Sequence, residues 1–197
     1  MSVSLFTGSG TVAAPLAVRG DDLYETPPVA VRALLSVEAV PSTVWEPACG
    51  PGSIVRELRK FKRTVIATDL VEYGCEDSQS RRDFLMELNA PLGCSAIVTN
   101  PPFKNAEAFA AKACDLVPES YMLLRLAFLE GLRWRQRGLS KNLARVWVFA
   151  PRLPFMHRGG YNGQKTSNSG MPLAWFIWRH DHKGPPQIDW LNWRDTA

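Results

Sequence analysis

Two rhythms of apolar residues alternate along this chain. Short runs rich in β-branched and aromatic residues predict strands: Val44-Trp45-Glu46, Thr64 to Thr68, Ala96 to Thr99, Tyr121 to Leu124, Arg145 to Ala150 and Leu173 to Trp178. Between the earlier runs the apolar positions recur at helical spacing. Val29, Val31, Leu34, Leu35 and Val37 make one such face after Pro27-Pro28, where proline suits a first helical turn. Ile54, Val55 and Leu58 make another, residues 105–116 read as a third helix, and Leu126 to Arg137 as a basic helical or looped segment. Strands alternating with helices imply βαβ units and a parallel sheet. The last two runs are joined only by a polar, glycine-rich stretch, Met156 to Gly170, so they are expected to pair as an antiparallel hairpin. Residues 1–20 are small and weakly patterned, an expected loose N-terminal arm. No repeat or boundary follows, and residues 21–197 are expected to form one domain.

Composition narrows the class. With 197 residues, 46% of them hydrophobic, the chain can build a sizeable core. A net charge of +4 suits a polyanionic partner. Cys49, Cys75, Cys94 and Cys114 lie far apart without a CxxC pair, which argues against structural zinc and for a reducing, cytoplasmic setting. The chain opens without a basic-then-apolar leader, and no apolar run reaches the ~18 residues of a membrane span. A soluble protein with no bound metal is expected. The buried-strand tryptophans Trp147, Trp175 and Trp178 read as core, while Trp190 and Trp193 are expected to pin the tail onto the domain.

The candidate chemistry gathers at strand ends. Asn100-Pro101-Pro102-Phe103 follows the run 96–99. Its prolines remove two N–H donors and bias Asn100 away from helix, leaving the Asn100 side-chain oxygen and the Pro101 carbonyl as acceptors beside an aromatic ring. An NH₂ on a planar group, an adenine or a carboxamide, would satisfy both. Glu46-Pro47-Ala48-Cys49-Gly50-Pro51-Gly52 turns from strand to helix, and its glycines let backbone approach a ligand. Asp69, followed by Leu70, ends the next strand, where a carboxylate can accept from ribose hydroxyls. Asp83-Phe84 is expected to accept from an adenine amine and stack on its ring. Cationic and polar residues expected to meet substrate are Lys104, a cluster of Arg133, Arg135, Arg137, Lys141 and Arg145, and Arg152, Arg158, Tyr161 and Lys165 about the polar stretch. Arg125, inside an apolar run, is expected to have a buried or cleft-facing partner.

In this order these motifs resemble the class I S-adenosylmethionine-dependent amino-methyltransferases, most of all the adenine-N6 DNA methyltransferases of bacteria and their viruses. The resemblance implies a Rossmann-like, doubly wound, mostly parallel sheet of seven strands with a C-terminal antiparallel hairpin. It implies S-adenosylmethionine as cofactor, with Tyr24, Thr26 and Pro27 at its methionine end and Glu46 to Gly52 as the glycine-rich loop. Asp69 with Leu70 would serve the ribose, and Asp83 and Phe84 the adenine side. Asn100 to Phe103 would be the catalytic tetrapeptide. DNA is the implied partner, with RNA adenine, a protein glutamine, or a non-catalytic nucleic-acid-binding role as alternatives. A monomer or weak homodimer is expected, and no stretch is long enough for a separate target-recognition domain.

Overall fold

The structure is a computed structural model that describes residues 23–130, 134, 138–154 and 171–196. The expected N-terminal arm and the polar stretch 156–170 lie outside the described residues. Seven strands form one mixed sheet: β1 (Thr43–Glu46), β2 (Thr64–Ala67), β3 (Ala96–Thr99), β4 (Glu119–Arg125), β5 (Leu143–Phe149), β6 (Leu173–Arg179) and β7 (Gln187–Leu191). Their order is β2-β1-β3-β4-β6-β5-β7. Helices α1 (Pro28–Val37), α2 (Ser53–Lys60) and α3 (Ala106–Leu116) cover it.

Side-chain alternation explains why the central strands read as unbroken apolar runs. Val44, Val98, Tyr121, Leu123, Trp175 and Ile177 face one core with α1 and α2. Trp45, Ile97, Met122, Leu124, Phe176 and Trp178 face the other with α3. A sheet covered on both sides buries both sets, so neither shows polar alternation. The indoles find partners inside: Trp175 Nε1 donates to the Ala30 carbonyl at 2.9 Å and Trp178 Nε1 to that of Leu139 at 2.8 Å.

Strand pairing sets the site. β1 pairs in parallel with both β2 and β3, and β3 with β4. The chain leaves β1 through α2 on one face and leaves β3 through α3 on the other. The strand order therefore reverses between β1 and β3, and ligand crevices of doubly wound sheets open at such a point.

The expected hairpin is present, since β6 pairs antiparallel with β5 and β4. It does not end the sheet: β7 follows and pairs parallel with β5. β7 lies in what reads from sequence as a tail, and four of its five residues are exposed, which erases any two-residue period. Trp193 does pin this tail, being 7% exposed, whereas Trp190 is 66% exposed and does not. Among the described residues no helix is long and apolar enough to cross a membrane.

Candidate active site

A cavity of about 370 Å³ opens at the switch point. Three strand ends meet there, bringing Glu46 and Ala48 to Pro51 from β1, Asp69 and Leu70 from β2, and Asn100 and Pro102 from β3. The segment before α1 closes one wall with Tyr24, Glu25 and Thr26. Lys104 stands exposed at its rim.

Asn100 is fixed by what its amide nitrogen must meet. Nδ2 donates to the Tyr24 carbonyl at 3.0 Å and to Thr26 Oγ1 at 3.1 Å. A backbone carbonyl only accepts, so the nitrogen has to face Tyr24 and the oxygen is turned the other way. Asn100 Oδ1 is left buried with no hydrogen-bond partner among the described residues. This is the acceptor expected from the tetrapeptide. Pro101 is buried and Phe103 half-buried, its ring centroid 5.3 Å from that of Tyr24, and neither lines the cavity. Arg125 is exposed and off the cavity wall, its Cζ 4.5 Å from the Phe103 centroid, so its contact is a half-buried ring rather than the buried or cleft-facing partner expected.

The acids are divided by their surroundings. Asp69 accepts from the Gly50 N–H at 2.8 Å and the Val71 N–H at 2.9 Å, so it fastens the glycine loop to the end of β2. Glu46 Oε1 accepts from Thr99 Oγ1 at 3.0 Å, and the Ala48 N–H lies near the carboxyl, while Oε2 is buried with no well-formed hydrogen bond among the described residues. Burial pushes the Glu46 carboxyl well above the usual carboxylate range, and the nearby Asp69 charge pushes the same way, against the Thr99 hydrogen bond. Cys49 is buried in the loop, its thiol pushed far up by burial first and then by the Glu46 charge, consistent with a packing residue rather than a nucleophile. The loop needs its glycines. Gly50 and Gly52 have φ of 50° and 87°, and a Cβ on them would come within 2.9 Å of Leu23 Cδ1 and 2.7 Å of Cys75 Sγ.

Several expected residues stand elsewhere. Phe84 is 2% exposed, packed 5.1 Å from Trp45 and 4.8 Å from Phe109 between ring centroids, so it is core and no stacking surface. Asp83 is exposed and caps the short turn Phe84–Met86 by accepting from the Leu85 N–H at 2.9 Å; neither residue lines the cavity. Pro27, Pro47 and Gly52 shape the cavity without lining it. Arg145 is occupied by Glu38 at 3.7 Å and by the Trp147 ring, in a separate hollow. Arg152 is exposed and absent from the cavity wall, and Lys141 is exposed away from it. Arg133, Arg135, Arg137, Arg158, Tyr161 and Lys165 lie outside the described residues.

Sequence reasoning placed Glu25 in the segment Tyr24 to Pro27 without a role of its own, and missed Ser53 and Arg56. The Ser53 hydroxyl and Arg56 Nη2 both donate to Glu25 Oε1, the latter at 3.2 Å, and Glu25 and Ser53 face the cavity. The signal was a buried acid within Tyr24 to Pro27, but its partners follow only from the fold.

No protein-family model matches the chain, and no curated protein sequence matches it. Solved structures do. The modification subunit assigned to a type I restriction enzyme of Vibrio vulnificus YJ016 is 15% identical with a TM-score of 0.52, over 88% of this chain and 48% of its own. The chain thus spans about half the length of that subunit. A protein assigned as an RNA methyltransferase of Pyrococcus horikoshii is 13% identical with a TM-score of 0.56, over 79% of this chain and 85% of its own. Magnesium protoporphyrin IX methyltransferase of Synechocystis PCC 6803, solved with bound S-adenosylmethionine, is 12% identical with a TM-score of 0.50, over 76% of each chain. The fold is the class I, Rossmann-like methyltransferase fold.

Proposed function

We propose that this protein is an S-adenosylmethionine-dependent methyltransferase acting on the N6 amine of adenine in DNA, by direct in-line displacement on a base turned out of its stack. The observation that carries the reading is Asn100 Oδ1, buried on the cavity wall and unpaired among the described residues. An unmade buried acceptor costs free energy, and a hydrogen-bond donor, here the N–H of an amine, would relieve it. The cavity is of small-molecule size at about 370 Å³. Its residues would suit the cofactor: Asp69 would accept from ribose hydroxyls, and a cationic group of the cofactor beside Glu46 would draw that buried carboxyl into its charged form.

Bound S-adenosylmethionine supplies an electrophilic methyl on a sulfonium. The protein's task is to hold a poor nucleophile in line with it. Asn100 Oδ1 accepts one amine hydrogen and the Pro101 carbonyl the other, which leaves the nitrogen more electron-rich and turns its lone pair toward the cavity. Such positioning contributes several kcal/mol to lowering the barrier. No general base is needed, because the amine proton becomes acidic once nitrogen carries the methyl. Turning the base out of a duplex costs a few kcal/mol. Phosphate contacts from Lys104, and from Arg158 and Lys165 of the polar stretch, would offset that.

Tritiated cofactor offered to DNA, RNA and protein fractions side by side tests the reading. Label is expected in N6-methyladenine of DNA, with kcat lowered about a hundredfold in Asn100→Ala, the scale for losing one hydrogen bond in a water-excluded site. Label in RNA or protein with DNA blank would move the substrate assignment. Label nowhere would refute transfer and leave a nucleic-acid-binding module.

A further inference from the structure

Arg125 ends β4, the parallel neighbour of β3, at the same edge of the sheet where the tetrapeptide leaves β3. It is exposed, and its Cζ lies 4.5 Å from the Phe103 ring centroid. Among the described residues no carboxylate pairs with it, in contrast to Arg32, Arg82 and Arg179, which all hold acids. An exposed cation held, among the described residues, by a ring is lightly held. It also covers a face of the ring against which a substrate base would stack.

We propose that Arg125 is a substrate-binding residue of this site. Its guanidinium keeps the face of Phe103 covered until a base takes that place, and then binds the phosphate beside the displaced nucleotide. The group suits both positions. It is flat, as a base is, and can lie on the same ring face. Its forked donors also match phosphate oxygens. The exchange runs in the productive direction, because an exposed cation–ring contact is weaker than a base stacked on an aromatic ring. The β4 end anchors the stem of Arg125, since the Leu126 N–H donates to the Pro172 carbonyl at 2.9 Å, so the head swings while the backbone stays. This inference rests on the polynucleotide reading above.

The test is binding of a short fluorescein-labelled single-stranded oligodeoxyadenylate, followed by anisotropy over a range of NaCl, with cofactor binding measured by calorimetry. Arg125→Ala is expected to bind the oligonucleotide about tenfold more weakly. Its log–log salt slope should fall by about 0.7, one phosphate contact on a single strand. Arg125→Lys should keep the slope and lose part of the affinity, since an ammonium cannot lie flat on a base-sized ring. Cofactor affinity should be unchanged in both. Unaltered affinity and slope in Arg125→Ala, with wild type still binding, would overturn the inference and leave the proposed activity standing. An equal loss of cofactor affinity would also overturn it, as a structural role. A wild type that neither binds nor methylates any polynucleotide would bring down both.

Discussion

Glu46 shows how a single position can be legible in type and illegible in state. An acid opening a strand-to-helix glycine loop is visible in sequence. Its protonation is not, because that depends on β1, β2 and β3 closing around it. Buried, with no well-formed hydrogen bond at Oε2 among the described residues, it takes up a proton more readily when folded than when unfolded. The sign follows. The stability this group contributes is fully present below its unfolded pKa of about 4.3 and is lost as pH rises through the raised folded value. Glu46→Gln cannot ionise and escapes that loss. The melting temperature of Glu46→Gln minus that of wild type is therefore expected to climb as pH rises above the unfolded value of about 4.3, read by scanning fluorimetry. A difference that stays flat with pH would show that Glu46 is charged in the folded protein. Asn100 teaches the companion lesson: its oxygen was foreseeable, but the partners that aim it, Tyr24 and Thr26, lie 76 and 74 residues away.

Among elements, the strands buried on both faces could be read from sequence, and so could the edge strand β2 through its β-branched run, whereas the exposed edge strand β7 could not. β3, β4 and β6 announced themselves because every turn of the pleat meets a core. β7 did not, and the connection from β2 to β3 holds one isolated bridge, Thr68 to Gln79, with short turns at 75–78, Phe84–Met86 and 91–94. In that connection Phe84 was available to either core or ligand, and burial between α3 and β1 decided for core. The joint between β1 and α2 is where local geometry matters most. Gly52 precedes α2 at a φ of 87°, in the left-handed region, with Cys75 Sγ over the space a Cβ would fill at 2.7 Å. Gly52→Ala is expected to cost about 1–3 kcal/mol in urea unfolding, for backbone strain and for the contact together. Adding Cys75→Ala should return only the contact's share, because no side-chain change relieves φ. Full recovery in the double variant would mean the backbone there is unstrained.

At the scale of the whole molecule, the tail behaves as a clasp for the site's scaffold. β7 lies against β5, and just beyond it Trp193 Nε1 donates to the carbonyls of Pro151 and Arg152 at 3.0 and 3.2 Å. Arg32 on α1 donates to the Thr196 carbonyl at 3.0 Å while pairing with Glu57 of α2 at 2.9 Å, so one side chain ties tail, α1 and α2 together. Those two helices carry the cavity wall before α1 and the glycine loop. The two tail tryptophans separate this arrangement from a tail that merely rests on the surface. Trp193→Ala removes a ring 7% exposed and packed in the core that α1 shares, and is expected to cost about 3–5 kcal/mol. That is a large part of the ~5–15 kcal/mol that holds an ordinary domain together. Trp190→Ala removes a ring 66% exposed and should stay within about 0.5 kcal/mol of wild type. Urea unfolding of the two variants decides the matter. Equal effects, large or small, would mean the tail is not the clasp, and that the crevice between β1 and β3 is held by the sheet alone.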